Sequence, residues 1–159
     1  MFDIKQLIPS EFCLKCDGCC RFAEENSAWF GRLLKEEEKK ISKDRFRPIP
    51  NKKDNNFLCA FLRIDDNKCK IYKTRPFECR LYPFLLARDA KTGKIFLALD
   101  RNCPFAGGNL KNAEFKKYTE YLSALFKTPD FAKLIKSNPQ VIQSYQGVLN
   151  LAELTNETK

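Results

Sequence analysis

The chain has 159 residues, a formal charge of +9 from 29 Lys+Arg against 20 Asp+Glu, and eight cysteines without a single histidine. The missing histidine excludes Ser-His-Asp and Cys-His catalysis, His-ligated metal chemistry and every mixed Cys/His zinc site. No segment approaches the ~20 apolar residues needed to span a bilayer, so no membrane partner is expected.

Residues 1–12 contain no basic stretch and no apolar run of signal-peptide length, and Pro9 and Glu11 interrupt what there is. The expected location is therefore cytoplasmic, where thiols are kept reduced. Four cysteines follow as one cluster, Cys13-Leu-Lys-Cys16-Asp-Gly-Cys19-Cys20. Residues 35–41 read as a solvated helix whose charges suggest no function. The polar stretch 43–56, with Pro48 and Pro50, reads as a loop. Two hairpins come next: 57–62 with 68–72 around Asp65-Asp66-Asn67, and 83–88 with 94–99 around Lys91-Thr92-Gly93. Gly107-Gly108 reads as a turn.

The rest is expected to be helical. Asn109 is the predicted N-cap of a helix over 109–127, with Phe115, Tyr118, Leu122 and Leu125 at helical spacing. Thr128-Pro129 opens a short helix to about 136. Asn138-Pro139 opens a last one to about 154, with Val141, Tyr145, Val148 and Ala152 as its stripe. The expected architecture is α+β in one domain, 1–159: a metal-centred core with short hairpins over 12–104, then amphipathic C-terminal helices over 109–155. Fourteen Phe, five Tyr and one Trp supply enough apolar bulk that metal need not carry all the stability.

Clustered thiols in a reducing compartment point to metal rather than disulfides. Cys13, Cys16 and Cys19 form a C-x2-C-x2-C array, a spacing seen at bacterial iron–sulfur clusters, and Cys103-Pro104 supplies the remote Cys-Pro that accompanies such arrays. Gly18 is placed where a tight turn would benefit from positive φ. Cys20 does not fit the array and points to a second centre or to no ligand role. Zinc is the close competitor, but Cys59, Cys69 and Cys79 lack the second knuckle of paired zinc modules. A divalent ion on four thiolates carries −2, so two such sites would lower the chain charge to about +5. The basic balance is thus weak support for nucleic acid. Aromatics do not alternate with basic residues on any predicted strand, and nucleic acid is not an expected partner.

Around Cys79 stands Ile71-Tyr72-Lys-Thr-Arg75-Pro76-Phe-Glu-Cys79-Arg80-Leu-Tyr82-Pro83. Guanidinium groups beside a thiolate lower its pKa and would steady an anionic cluster.

The ordered set C-x2-C-x2-C-C, a lone cysteine, Cys-x-Ile-Tyr-x-x-Arg-Pro-x-x-Cys-Arg-x-Tyr-Pro and a further cysteine resembles the YkgJ-type cysteine-cluster family over 13–103. That family is described as a zinc- or iron-chelating domain and is associated with flagellin lysine N-methylases. The resemblance implies metal ligands among Cys13, Cys16, Cys19, Cys20, Cys59, Cys69, Cys79 and Cys103, with Tyr72, Arg75, Pro76 and Arg80 as accompanying cofactor-binding residues. The reading is a metal-binding protein whose Cys-ligated centre is a [4Fe-4S] cluster, in an electron-transfer, sensing or accessory role beside a protein partner. Its alternatives are a structural Zn2+ protein and a component of a protein lysine N-methylase.

Overall fold

The computed structural model describes residues 4–16 and 18–154. A one-turn helix α1 (Ser10–Cys13) enters the cysteine cluster and β1 (Arg21–Phe22) leaves it. β2 (Pro48–Asn51) and β3 (Asn56–Cys59) form a hairpin, and β3 lies between its neighbours in an antiparallel sheet of order β1-β3-β2. A 3-10 turn at Tyr72–Thr74 leads to α2 (Phe77–Leu81), then to the hairpin of β4 (Phe84–Arg88) and β5 (Ile95–Leu99). Three helices follow: α3 (Pro104–Asn109), α4 (Ala113–Phe126) and α5 (Pro129–Ser137). A single 3-10 turn, Pro139–Val141, precedes β6 (Leu149–Glu153), which pairs antiparallel with β5 to give the order β4-β5-β6. The class is α+β, as expected. No helix among the described residues is long and apolar enough to cross a membrane.

Two apolar clusters organise these elements. The larger joins β4, β5, α2, α4 and α5 through Phe77, Phe84, Leu97, Phe115, Leu122, Phe126 and Phe131. Complete burial of each such side chain contributes about 1.5–3 kcal/mol. Phe126 stacks on Phe131 at 4.2 Å and thereby docks α5 on α4. The smaller cluster gathers Phe22, Phe30, Phe46, Leu58 and Phe61 beneath the first sheet, with Cys20, Cys59, Cys69 and Cys79 packed against it. Four of the eight cysteines thus pack at the smaller cluster, while Cys13 and Cys103 pack at the larger one.

Several expectations need correction. The stretch 43–56 is not all loop, because β2 lies within it. Its prolines are tolerated because β2 is an edge strand, where a missing N–H costs no ladder bond. Segment 57–62 pairs mainly with β2 and β1; its expected partner 68–72 meets it only in a Leu62–Cys69 bridge. The second hairpin is as expected, turned at Asp89, whose carboxylate accepts from Lys91 N and Thr92 N, with Gly93 at φ +72.

Gly107 and Gly108 lie inside α3, which occupies Asn109 as well, so α4 is capped instead by Asn112, which accepts from Glu114 N at 2.8 Å. Phe126, rather than the half-buried Leu125, completes its buried stripe. Thr128-Pro129 caps α5 as expected. The last predicted helix does not form: after one 3-10 turn, Gly147 takes φ +73 and the chain extends into β6 along the free edge of β5. Residues 35–41 make hydrogen-bonded turns, not a regular helix, and Glu37 among them is buried rather than solvated.

Candidate metal centre

Seven cysteines, Cys13, Cys16, Cys19, Cys20, Cys59, Cys69 and Cys79, line one cavity of about 100 Å³. A single water needs roughly 10–15 Å³ on this measure, so the space suits something larger. Each sulfur arrives by a different route. α1 delivers Cys13 and the turn after it Cys16; the entry to β1 delivers Cys19 and Cys20; the end of β3 delivers Cys59. The Leu62–Cys69 bridge fixes Cys69 and α2 carries Cys79. The eighth, Cys103, is the buried residue just before α3 and packs in the larger apolar cluster with Cys13. All eight are free thiols.

Among the described residues no three Cys, Asp or Glu side chains already converge at ion-binding distance of one point. Closing a shell therefore requires thiols to turn between the staggered wells of χ1. The donor set fits a thiophilic metal nonetheless, because soft thiolates in a histidine-free pocket select zinc or iron–sulfur groups over hard cations.

The electrostatics favour thiolate in places and oppose it in others. Desolvation raises Cys13, Cys69 and Cys103, and raises Cys79 most. Cys20 sits between two sulfurs, and its hydrogen bonds to Cys19 and Cys59 keep it protonated while lowering both neighbours, Cys19 to about 7. Backbone N–H groups of Phe61 and Leu62 favour the Cys59 thiolate, and that of Ile71 favours Cys69. Amides two or three residues beyond a cysteine are what a metal-binding turn offers its sulfur. A Cβ on Gly18 would meet Cys16 Sγ at 3.7 Å, an ordinary contact, so space alone does not require glycine there.

Residues 12–119 match the family described as CxxCxxCC, "Putative zinc- or iron-chelating domain". The chain belongs to the CxxCxxCC family. The matched stretch contains all eight cysteines and runs on into α4, beyond the 13–103 span of the sequence resemblance. The uncharacterized protein MJ0661 of Methanocaldococcus jannaschii is 31% identical over 121 residues, which cover 68% of this chain and 65% of that protein. The chain thus spans a little under two thirds of that relative's length. No solved structure matches. Membership of the CxxCxxCC family makes this a metal-binding protein of zinc- or iron-chelating type.

Among the accompanying residues of this CxxCxxCC domain, Tyr72, Arg75 and Pro76 line the cavity. Tyr72 hydrogen-bonds the Cys13 sulfur, and the Arg75 guanidinium lies 3.7 Å over the Tyr72 ring. Its charge favours the thiolates of Cys13, Cys19, Cys69 and Cys79. Arg80 is not brought to the cavity. Its guanidinium stands 4.0 Å from Glu37 Oε1, so its place beside Cys79 in sequence does not put it beside the sulfur. α2 explains this: one residue along a helix is a turn of about 100°.

Three residues escaped the sequence reading. Gln6 donates to Cys13 Sγ at 3.7 Å and to Tyr72 Oη at 3.2 Å, and accepts from Arg75. It lies 66 residues from Tyr72, and no local pattern marks it. Glu37 accepts from Leu34 N at 2.9 Å and Phe77 N at 2.6 Å, tying the 34–37 turn to the start of α2. Glu78 lines the cavity, accepts from Arg32 N, and is pushed up by desolvation to about 8. Its position next to Cys79 was the available signal.

Proposed function

We propose that Cys13, Cys16, Cys19 and Cys103 hold a [4Fe-4S] cluster and that the protein serves in electron transfer, sensing or an accessory redox role. The observation that carries this is the electrostatic and packing company of Cys103. Its thiolate feels Cys16 and Cys19, Cys13 feels Cys19 and Cys103, and Cys13 and Cys103 share one apolar cluster. The remote fourth member of the C-x2-C-x2-C array is thus within electrostatic reach of the other three, although 83 residues separate Cys19 from Cys103 in sequence. Cys19 is exposed, so one ligand would lie at the surface, where a partner could exchange electrons. Bound, such a cluster supplies a one-electron couple. Gln6, Tyr72 and Arg75 would place hydrogen-bond donors and positive charge beside its sulfur ligands. The proposed setting is the cytoplasm, with a protein partner rather than a nucleic acid.

Anaerobic purification with iron and sulfide analysis tests the reading. The expected result is a brown protein with a broad band near ~400 nm and about four cluster irons matched by sulfide. A colourless protein without inorganic sulfide overturns it.

A further inference from the structure

We infer that Cys20, Cys59, Cys69 and Cys79 form a second, separate centre that holds one tetrahedral divalent ion on four thiolates. This deepens the preceding proposal and rests on it in one respect, the assignment of the other four cysteines to a cluster. Four observations carry it. First, these four and no other cysteines pack against the smaller apolar cluster, beside Phe30, Phe46 and Phe61, whereas Cys13 and Cys103 pack in the larger one. Second, Cys20 and Cys59 are joined through the backbone, Cys59 N donating to Cys20 O at 3.0 Å. Their thiols are also hydrogen-bonded to each other. Such a thiol pair is spaced much like the edge of a tetrahedron with Zn–S near 2.3 Å, an edge of about 3.8 Å.

Third, Cys69 pairs in a bridge with Leu62, three residues beyond the Cys59 end of β3, so the chain returns Cys69 close to Cys59. Fourth, Gly31 gives Cys79 its room: a Cβ there would stand 3.4 Å from the Cys79 sulfur. The two centres would be neighbours, since Cys19 touches Cys20. Adjacent residues Cys19 and Cys20 then serve different metals, which accounts for the fourth cysteine of the C-x2-C-x2-C-C run.

The test uses the full chain, purified anaerobically, with zinc, iron and sulfide counted per chain. The paired variant Cys59→Ser with Cys69→Ser should keep the cluster absorbance, with iron equal to sulfide, and lose one ion per chain. That ion is either zinc or iron in excess of sulfide, and the count tells which. The pair Cys13→Ser with Cys16→Ser should do the reverse, losing sulfide and keeping the ion. An unchanged ion count in the first pair overturns the inference, as does loss of sulfide together with the ion. Where a variant fails to fold, X-ray absorption of the wild-type protein at the edge of the non-cluster metal decides. About four sulfur neighbours near 2.3 Å support the site; nitrogen or oxygen neighbours, or no such metal, overturn it. A wild type lacking sulfide but holding this ion would sink the cluster proposal and leave the second centre standing.

Discussion

Glu37 shows what a buried carboxylate does when two segments need joining. Its oxygens accept from Leu34 N and Phe77 N, and Arg80 stands 4.0 Å away. Removing it takes away the acceptor that two buried amides share and the carboxylate that faces Arg80. Glu37→Ala should therefore lower unfolding free energy by about 3–5 kcal/mol in denaturant titration. Glu37→Gln keeps one of the two acceptors and turns its NH2 toward the other amide, so it should fall between Glu37→Ala and the native chain. A loss equal to that of Glu37→Ala would mean that both oxygens are needed. Gln6 offers a second residue-scale prediction. Its N–H reaches Cys13 Sγ, and a donor at a cluster ligand stabilises the more negative, reduced state. In the proposed cluster, Gln6→Ala should move the reduction potential to more negative values in a redox titration, and an unshifted potential would remove Gln6 from the site. The cysteines, Tyr72, Arg75 and Pro76 were legible in sequence because residue type and spacing announce the chemistry. Gln6 and Glu37 were not, because an isolated amide or carboxylate acquires its role only from distant backbone.

At the scale of elements, α4 and α5 were readable because cap, proline and apolar period agree. Asn112 accepts from Glu114 N, and Phe115, Tyr118, Leu122 and Phe126 face one core. Asn112→Ala should cost about 0.5–2 kcal/mol of stability and leave metal content unchanged, since the cap is exposed and no residue of α4 lines the cysteine cavity. A thermal melt with parallel metal analysis checks both halves, and metal loss in this variant would show the cores to be coupled. The last segment misled because Val141, Tyr145, Val148 and Ala152 recur at helical spacing. Periodicity cannot see the free edge of β5, and there a strand with paired backbone outcompetes a helix interrupted by Gly147. Pro48 and Pro50 misled in the opposite sense, since only the sheet order reveals that their strand is an edge.

On the scale of the whole molecule, the division between two apolar clusters decides how the protein should respond to loss of metal. The first sheet is short: β1 has two residues, and β2 and β3 four each. Its cluster brings Cys20, Cys59, Cys69 and Cys79 against a handful of aromatic rings. In the proposed second centre, metal binding would be in large part folding free energy, because the thiols come from four separate segments. The second sheet and its helices bury Phe77, Phe84, Leu86, Leu97, Leu99 and Leu122, with Cys103 buried among them. Anaerobic chelation should therefore remove hydrogen-exchange protection from β1, β2, β3 and the 59–71 turn first. Amides of β4, β5 and α4 should remain protected. Cys103 is buried within the larger cluster and Cys13 only packs against it, so α1 should loosen with the first sheet while α3 keeps the protection of buried Ala106. Uniform loss of protection along the chain would show that the two clusters fold as one unit and that metal stabilises both alike. Unchanged protection in the first sheet would show that the aromatic rings suffice there without metal.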